Sequence, residues 1–446
     1  MPGGEAKTAF SLREVGYEKS EDRFLSGETS VRRNNILARE SILLTTVWSG
    51  HMILKKPIFV ILLLFTLVIA AGCITSNPVS PPDNPEMTFV SSFEGGGRYL
   101  AGNYTVILLE GSYREMGRQY GGLMKTELLA EYAMLTGALE DRGYTIDYLQ
   151  SYAAAGTQFQ PERMKEIARG MAETTGLTEE DVSILYYGPA LYISMPAGCS
   201  YLTVWGEYTT DGSVIVSRNW DLPDLLEPFN PYYVLAVYRP TDGSNGVATF
   251  GPAGSRPETL MNSAGLFIAD DNSGLVSVEQ GDRPDLISEF FRMMLDYSDL
   301  AGLKTGVLAT RPDAAWIVDI AGPDGAYVLE AGLTETKVRT GDGVVAAANH
   351  FADPSWNLTT PPEEHSLTRY TNLLSQAEAA KGTIDAEKMM QIRDVLLEDD
   401  GATFRHSILE GYLYSSNHQA VFVPANQTLW MKVIDLDWQK VELAPL

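Results

Sequence analysis

From Cys199 onward, the sequence alternates short apolar runs with turn residues, and this alternation constrains the fold more than any other feature. A first set of runs consists of SYLTVWGEY, SVIVS, PYYVLAVYR and LFIA. A second set consists of AAWIVDIA, GAYVLEA, TKVRT, VVAAA, QAVFVPA and TLWMKVI. Runs of this length are typical of β-strands, and the Asp211-Gly212 pair between two of them indicates a hairpin. Helical periodicity occurs at 284–310, 366–380 and 385–397. Strands in two sets with helices between them predict an α+β fold of two stacked antiparallel sheets covered by helices.

The preceding segment has a different character. After a strand-like run at 104–109, apolar spacing predicts a helix from Tyr113 to about Gly137, and Pro161 begins a second helical pattern. Thr178 precedes two glutamates and is the expected N-cap of a third helix. We therefore predict a mainly helical segment over 89–198, followed by a sheet-rich segment over 199–446.

Composition limits the classes of partner. Acidic residues number 58 and basic residues 33, which gives a formal net charge of -25. Binding to nucleic acid relies on clustered Lys and Arg that neutralise phosphates, so nucleic acid is not the expected partner. The sequence contains neither a glycine-rich phosphate loop nor a His/Cys zinc cluster, and we expect no cofactor and no metal.

An export signal precedes the folded part. Lys55 and Lys56 are followed by a nearly continuous apolar run at 58–71 and then by Gly72-Cys73. This order predicts a signal peptide over 52–72, and the run is short for a membrane span. The small residues before Cys73 resemble a lipoprotein lipobox, which implies lipidation of Cys73 and loss of everything before it. The alternative is an uncleaved N-terminal anchor, and both interpretations place the body outside the cytoplasm, attached to the membrane.

Two further segments flank this signal. Residues 1–51 are polar and precede a suitable start at Met52, so we interpret them as a leader that is disordered or that results from a start codon assigned too early. Residues 73–88 are rich in proline, which predicts an extended tether between the membrane and the domain.

Cys199 is the candidate nucleophile. A cysteine inside a chain normally needs a histidine or another base to form the thiolate. Cleavage of the Gly198–Cys199 bond would instead free the α-amine of Cys199, whose ordinary pKa of about 7.7–8.0 suits a base at neutral pH. Glycine at 198 leaves the carbonyl open to attack by the sulfur. The expected hairpin would then return Arg218 and Asp221 to Cys199, where Arg218 favours the thiolate and Asp221 holds the amine.

These residues resemble those of a known family. Cys199 with a hairpin and Arg218-Asn219-Trp220-Asp221 is similar to the Cys…GRNxD signature of choloylglycine hydrolases, which are N-terminal-nucleophile (Ntn) enzymes. The segment 261–266 (MNSAGL) is similar to the MNEKGL segment of that family. The resemblance implies that Asn272 contributes to an oxyanion hole, that Asn349 is a second active-site asparagine, and that Arg369 lies near the site.

The segment before Cys199 carries a resemblance of its own. GSYREMGRQYGGLM and ERMKEIARGMAETTGLTEEDV are similar to the pro-segment of the isopenicillin N acyltransferase family, which cleaves itself at a Gly-Cys bond. Acid ceramidase and phospholipase B-like proteins are more distant members of the group. Over roughly residues 103–435, the resemblance implies a four-layer αββα sandwich, self-cleavage, and hydrolysis or acyl transfer at a linear non-peptide amide. Asp270 and Asp271 depart from the family pattern, and two carboxylates at the mouth of the site would disfavour an anionic substrate such as a bile salt.

Three other interpretations remain open. His350 and His418 each follow an asparagine, so a papain-like Cys–His hydrolase is one alternative. A non-catalytic, lipid-anchored binding protein is another. Asp270, Asp271 and Asn272 suggest calcium, but they lack the spacing of an EF-hand loop, and a solvated acidic turn is the expected structure.

The position of the mature N-terminus can be measured directly. We expect protein extracted from its native membrane to begin at Cys73 with a lipid on that cysteine, because the apolar run ends at Gly72. Intact-mass and peptide mass spectrometry check this. A chain that keeps residues 52–72 and carries an unmodified Cys73 would favour the uncleaved anchor.

Overall fold

The computed structural model describes residues 87–192, 198–275, 283, 285–409 and 411–444. The chain divides into the units Met1–Cys73 and Ile74–Leu446, and all described residues belong to the second. The expected leader, the signal peptide and Cys73 lie outside the described residues. No helix within the described ranges is both long enough and apolar enough to cross a membrane.

The strands occur in both halves of the described chain. They are β1 (Met87–Phe93), β2 (Gly96–Ala101), β3 (Tyr104–Gly111), β4 (Gly198–Val204), β5 (Ile215–Pro223), β6 (Tyr233–Pro240), β7 (Val247–Pro252), β8 (Thr259–Asn262), β9 (Phe267–Asn272), β10 (Trp316–Gly322), β11 (Gly325–Ala331), β12 (Thr336–Arg339), β13 (Val344–Ala347), β14 (Ser407–Leu409), β15 (Tyr412–Val423), β16 (Thr428–Val433) and β17 (Gln439–Glu442).

The α-helices fall into three groups along the chain. They are α1 (Tyr113–Leu123), α2 (Lys125–Glu140), α3 (Ile146–Thr157), α4 (Glu162–Thr175), α5 (Glu179–Tyr192), α6 (Leu286–Asp296), α7 (Leu300–Ala309), α8 (Glu364–Ala379) and α9 (Ala386–Asp394). Local sequence explains several of their starts. Ser112 forms a capping box with Glu115 at α1, and the Thr178 hydroxyl accepts a hydrogen bond from the Asp181 backbone N–H at α5.

The strands form two sheets. The larger sheet has the order β1-β2-β3-β6-β7-β8-β9-β10-β11-β12, and the smaller has β13-β4-β5-β15-β16-β17 with β14 beside β15. Pairing is antiparallel with one difference from the prediction, because β3 and β6 are parallel. Parallel neighbours require a long crossover, and here it contains α1 to α5 and the β4–β5 hairpin of the other sheet.

The sheets are stacked, and helices cover their outer faces. Phe267 of the larger sheet stacks on Phe422 of the smaller sheet, so these strands face each other across an apolar interior. On the outer face of the smaller sheet, Leu202 and Ile215 belong to a second core together with Leu373 of α8. Helices α6 and α7 pack against β7 to β11 of the larger sheet, and α1 packs against β1, β2, β3 and β6. The predicted α+β class and αββα order of layers are confirmed.

Several predicted elements differ in detail. The helix expected from Tyr113 to about Gly137 is two helices, because the backbone leaves helical geometry at Met124 (φ -113°, ψ 19°). The helical region at 284–310 is likewise divided, and Asp299 caps the second part. Sequence patterns did not indicate α3 or the strands β1, β2, β7, β8, β14 and β17. The segment before Cys199 is mainly helical, as expected, but it also adds β1 to β3 to the larger sheet.

Helices α1 and α4 cross at two glycines. A Cβ atom on Gly117 would lie 2.1 Å from the carbonyl oxygen of Ile167. A Cβ atom on Gly170 would lie 2.2 Å from the carbonyl oxygen of Arg114. Both distances are far below any real contact, and both opposing atoms belong to the backbone. The close approach of the two helices therefore depends on glycine at both positions.

We expect Gly170→Ala to lower the free energy of unfolding by about 1–3 kcal/mol, the usual range for forcing atoms into a packed contact. Gly137→Ala in α2 is the matched control, because its Cβ would meet nothing within 4 Å. Since alanine has the higher helix propensity, the control should be neutral or stabilising by up to about 1 kcal/mol. Urea unfolding of both variants measures the difference, and equal changes in the free energy of unfolding would contradict the close contact of α1 and α4.

Candidate active site

The site is organised by the hairpin of β4 and β5. Cys199 pairs with Trp220, and Gly198 pairs with Asp221. Because side chains alternate along a strand, the Cys199 thiol points into the space between the sheets, together with Arg218 and Trp220. The Asp221 side chain lies on the opposite side, which faces α8 and α9. The cysteine is therefore flanked by a different set of groups on each face of the smaller sheet.

Arg218 is the partner of the thiol on the inner face. Its Nη2 lies 3.7 Å from the Cys199 sulfur and donates to the carbonyl oxygen of Asp270 at 2.5 Å. Its Nη1 donates to the carbonyl oxygen of Glu258 at 2.6 Å and to the Thr259 hydroxyl at 2.5 Å. The side chain is fully buried, so backbone and hydroxyl acceptors replace the water that a guanidinium normally binds.

Burial dominates the chemistry of the thiol in the continuous chain. Cys199 is 2% exposed. Burial raises the pKa of its thiol well above the ordinary value, while the nearby Arg218 charge opposes that shift. The carboxylates of Asp271, Asp221 and Asp270 raise it further. The thiol is therefore protonated at neutral pH, and its proton must pass to another group when the sulfur acts as a nucleophile.

Arg369 organises the outer face. It lies on α8 with Leu373 and Ala377, at helical spacing that turns all three toward the smaller sheet. Its Nη1 donates to the Cys199 carbonyl oxygen at 2.6 Å and to Asp221 Oδ2 at 3.1 Å. The guanidinium also packs over the Phe404 ring, with its central carbon 5.0 Å from the ring centroid.

Asn349 holds the nitrogen of Cys199. Its Oδ1 accepts from the Cys199 backbone N–H at 2.9 Å and from Arg369 Nη2 at 2.6 Å. Two donors therefore converge on one atom, which fixes the orientation of the amide group. Its Nδ2 donates to the carbonyl oxygen of Asn272 at 2.9 Å. In this state Asn349 positions the cysteine nitrogen and connects the two sheets.

Asp221 lies beside the bond that the sequence predicts to break. A Cβ on Gly198 would lie 3.0 Å from Asp221 Cβ and 3.2 Å from Asp221 Oδ2. A larger residue at 198 would therefore press on the carboxyl group. Ser416 donates a 2.5 Å hydrogen bond to the other oxygen, Oδ1. Burial raises the pKa of Asp221 to about 6, against the opposing charge of Arg369, so the group is largely ionised at neutral pH.

Asn272 lies at the end of β9. Its Oδ1 accepts from the backbone N–H of Gly274 at 2.9 Å. No hydrogen bond joins its Nδ2 to the rest of the described chain, and the side chain is only half-buried. The structure thus brings together Cys199, Arg218, Asp221, Asn349 and Arg369 by direct contact, and it connects Asn272 to them through its main-chain carbonyl.

The two aspartates before Asn272 are not where the sequence indicated. Asp270 and Asp271 lie within β9 and are 3% and 0% exposed, so they form neither a mouth of the site nor a solvated turn. Burial raises the pKa of Asp271 to about 6, while Arg218 opposes the shift. Within the described part of the chain, neither oxygen of Asp271 has a hydrogen-bond partner, and the same is true of Asp319 on the adjacent strand. The cost of burying these acids is partly offset by the charge of Arg218.

Neither candidate histidine contacts the thiol. His350 Nδ1 lies 2.8 Å from the Ser366 hydroxyl, and burial lowers the pKa of His350 to about 4. His418 Nε2 lies 3.1 Å from the Thr259 hydroxyl, and burial lowers the pKa of His418 well below its ordinary value. The arrangement gives no support to a papain-like pair, because such a pair needs an imidazole within hydrogen-bond reach of the sulfur.

The sequence did not indicate several residues that support the site. Arg393 on α9 is fully buried and donates to the hydroxyl groups of Ser200 and Ser217 on the hairpin. Thr259 and Ser416 support Arg218 and Asp221 as described above. These residues come from distant segments, and no local motif distinguishes them. Only the buried face of the 385–397 helix contained a signal, because an arginine occupies an otherwise apolar position there.

Among the described residues, one group could offer ligands to a metal ion. Atoms of Asp224, Glu227 and His406 lie within 4.8 Å of one another. His406 Nδ1 already contacts Asp224 Oδ2 at 2.8 Å, and the imidazole is about half exposed. An ordinary surface ion pair accounts for this geometry.

A cavity of about 190 Å³ lies near the start of β10. Trp316, which pairs with Asn272, forms one wall, and Tyr152 and Tyr187 of the helical segment form another. Arg256 and Asp285 pair at 2.9 Å in the same cavity. The helical segment thus contributes directly to a concave surface near the oxyanion candidate.

Comparisons with known proteins found solved structures only. No family model matches the chain, and no curated protein matches it. A conjugated bile acid hydrolase from Clostridium perfringens is similar over 55% of this chain and 92% of its own, at 13% identity and a TM-score of 0.39. Penicillin V acylase from Agrobacterium tumefaciens is similar over 56% and 87%, at 11% identity and a TM-score of 0.40.

The Caenorhabditis elegans ortholog of N-acylethanolamine-hydrolyzing acid amidase is similar over 51% of this chain and 93% of its own. Its identity is 12% and its TM-score is 0.39.

The buried Asp271 has a consequence for stability. Its pKa of about 6 in the folded chain exceeds the ordinary 3.8, so its burial destabilises the fold increasingly as pH rises from about 4 to about 6. Asp271→Asn removes this ionisation. The stability of the variant relative to the unmodified chain should therefore rise over the same pH interval.

Denaturant unfolding at several pH values measures this difference. Gly137→Ala is the control, because it changes no ionisable group, and its offset from the unmodified chain should be nearly constant with pH. A constant offset for Asp271→Asn would contradict the buried environment assigned to Asp271.

Proposed function

We propose that this protein is a cysteine Ntn-hydrolase that cleaves its own Gly198–Cys199 bond and then acts on a linear, non-peptide amide. One observation carries the proposal: separate groups surround the nitrogen and the sulfur of the same residue. Asn349 accepts from the nitrogen at 2.9 Å, and Arg218 approaches the sulfur at 3.7 Å. This separation is what a residue needs if its amine is to serve as base and its thiol as nucleophile.

Self-cleavage proceeds as an acyl shift. The Cys199 sulfur attacks the carbonyl carbon of Gly198 and forms a thioester as the C–N bond breaks. The thiol proton passes to the departing nitrogen. Water then hydrolyses the thioester, which leaves a carboxylate on Gly198 and a free thiol and amine on Cys199. The absence of a side chain at 198 keeps this carbonyl accessible beside Asp221.

Turnover uses the same atoms. The freed amine accepts the thiol proton, and the sulfur attacks the carbonyl of the substrate amide. The protonated amine donates a proton to the leaving nitrogen, so the amide bond breaks and a thioester remains. Water or an acceptor amine resolves that thioester, which gives hydrolysis or acyl transfer respectively. Asp221 and Asn349 orient the amine, and Arg218 stabilises the thiolate.

The two asparagines have different tasks in this scheme. No described residue occupies the Nδ2 of Asn272, so this nitrogen can donate to the developing oxyanion, and such a donor typically contributes about 3–4 kcal/mol. The Nδ2 of Asn349 donates to the Asn272 carbonyl oxygen. In the uncleaved chain, Asn349 is therefore a holder of the cysteine nitrogen, and it also fixes the end of β9 where Asn272 lies.

The substrate class and location follow from the sequence resemblance and the export signal. We expect a small-molecule amide with no nucleic acid involved, and attachment to the outer side of the cell membrane through Cys73. A non-catalytic binding protein is the competing function. It requires no chain cleavage, so the two functions are separated by the same experiment.

The Gly198–Cys199 bond provides the test. We expect purified protein to contain two fragments, the second beginning at Cys199, while Cys199→Ala remains a single chain because it lacks the attacking sulfur. Asp221→Asn should slow cleavage by at least tenfold, since it removes the charge beside the new amine. Denaturing gels with N-terminal sequencing follow both variants over time.

Cys73→Ser is the matched control, because it removes the other cysteine and should leave cleavage unchanged. A chain that stays intact and active, with Cys199→Ala equally active, would contradict the proposal. An intact chain that binds amides without turnover would indicate the binding function.

A further inference from the structure

His418 lies near the site but has no part in the chemistry proposed above. It is on β15, paired with Trp220, which pairs in turn with Cys199 on the next strand. All three side chains point between the sheets. The rings of Trp220, Tyr233 and Phe250 enclose the imidazole, with centroids 5.0, 5.5 and 5.0 Å away. A polar ring buried among aromatic side chains costs free energy unless its polar atoms are used.

The imidazole forms its hydrogen bond with the Thr259 hydroxyl group. Its Nε2 lies 3.1 Å from the Thr259 hydroxyl oxygen, which also accepts from Arg218 Nη1 at 2.5 Å. A hydroxyl group has a single hydrogen, and an arginine can only donate. The Thr259 hydrogen is assigned to His418 Nε2, because no other acceptor for this hydrogen occurs among the described residues. The remaining ring hydrogen is on Nδ1, which has no hydrogen-bond partner among the described residues.

This direction of donation orients the guanidinium. With its hydrogen held by His418, Thr259 presents a lone pair to Arg218. The other nitrogen of the same planar group, Nη2, is then aimed at the Cys199 sulfur and the Asp270 carbonyl oxygen. Because a guanidinium is rigid, fixing one nitrogen fixes the position of the other.

We propose that His418 is a positioning residue for Cys199, acting through Thr259 and Arg218 to hold a guanidinium nitrogen against the thiol. This role rests on the proposed function of Cys199, but the hydrogen-bond chain itself can be tested without a substrate. The neutral state of His418 matters, because a second ring proton would turn Nε2 into a donor and leave the Thr259 hydrogen without its acceptor. Burial and the charge of Arg218 keep the ring neutral by lowering the pKa of His418 well below its ordinary value.

A purely structural role is the alternative, in which the imidazole only fills the aromatic enclosure. Two substitutions of similar polarity separate these roles. The amide of His418→Gln reaches the place of Nε2 and can accept from Thr259, whereas the shorter amide of His418→Asn cannot. Phe250→Leu loosens the enclosure while leaving the imidazole acceptor in place, so it is the control for packing.

The readout is the pH dependence of Cys199 alkylation by iodoacetamide, followed by mass spectrometry of the peptide that contains residue 199. We expect His418→Asn and Thr259→Val each to raise the apparent pKa of the thiol by about one unit, which is about tenfold less thiolate at neutral pH. His418→Gln should remain within about twofold of the unmodified protein, and Phe250→Leu should not shift the thiol pKa. The double variant His418→Asn/Thr259→Val should raise the thiol pKa no further than either single variant, because both substitutions break the same chain of hydrogen bonds.

Equal shifts for the Gln and Asn variants, or a shift for Phe250→Leu as large as that for His418→Asn, would overturn the positioning role. Additive effects in the double variant would overturn it as well. Failure of the proposed function would give a different result. In that case, alkylated Cys199 would leave the amide-cleaving activity intact, whatever the order of the thiol pKa values among the variants.

Discussion

The buried guanidinium of Arg369 is the interaction on which the site depends. It reaches the carbonyl oxygen of Cys199, the carboxylate of Asp221 and the amide oxygen of Asn349, three groups from three separate segments. A charge removed from water is tolerated only when such partners replace its hydration. Helix α8 can therefore pack on the smaller sheet only when these groups are correctly placed. The contacts that pack this layer are therefore the contacts that assemble the site.

The alternation of side chains along the strands then places different groups on the two faces of the sheet at Cys199. On one face, Arg218 meets the sulfur in an interior that also contains Asp271 and Thr259. On the other face, Arg369 donates to the Cys199 carbonyl oxygen and Asp221 lies beside Gly198, while Asn349 accepts from the Cys199 nitrogen. Two buried cations on opposite sides of one strand thus give the sulfur and the nitrogen different electrostatic environments, although only a few bonds separate them. A single residue that acts as both nucleophile and base requires this division.

The sequence revealed the site residues better than their arrangement. The Cys199 hairpin, its Arg218 and Asp221, and the αββα order followed from strand patterns and from the family resemblance. The face on which each side chain lies could not be read, because the register across the 205–214 loop decides it and a slip of one residue would reverse it. The pair Asp270 and Asp271 was interpreted as a solvated turn since acids are usually exposed. Their burial depends on Arg218, which reaches them from the other sheet.

Long-range pairing explains the remaining differences. The parallel contact of β3 and β6 joins segments that are more than a hundred residues apart, and no local pattern encodes it. Thr259, Arg393 and His418 likewise gain their importance from neighbours distant in sequence.

The central claim is that Cys199 acquires a free amine beside its thiol. Its most direct measurement is labelling of active protein with an aldehyde that condenses with 1,2-aminothiols, followed by peptide mass spectrometry. We expect a thiazolidine at residue 199, formed in step with the loss of amide-cleaving activity. Fully active protein that forms no adduct there, with residue 199 still joined to Gly198, would contradict the claim.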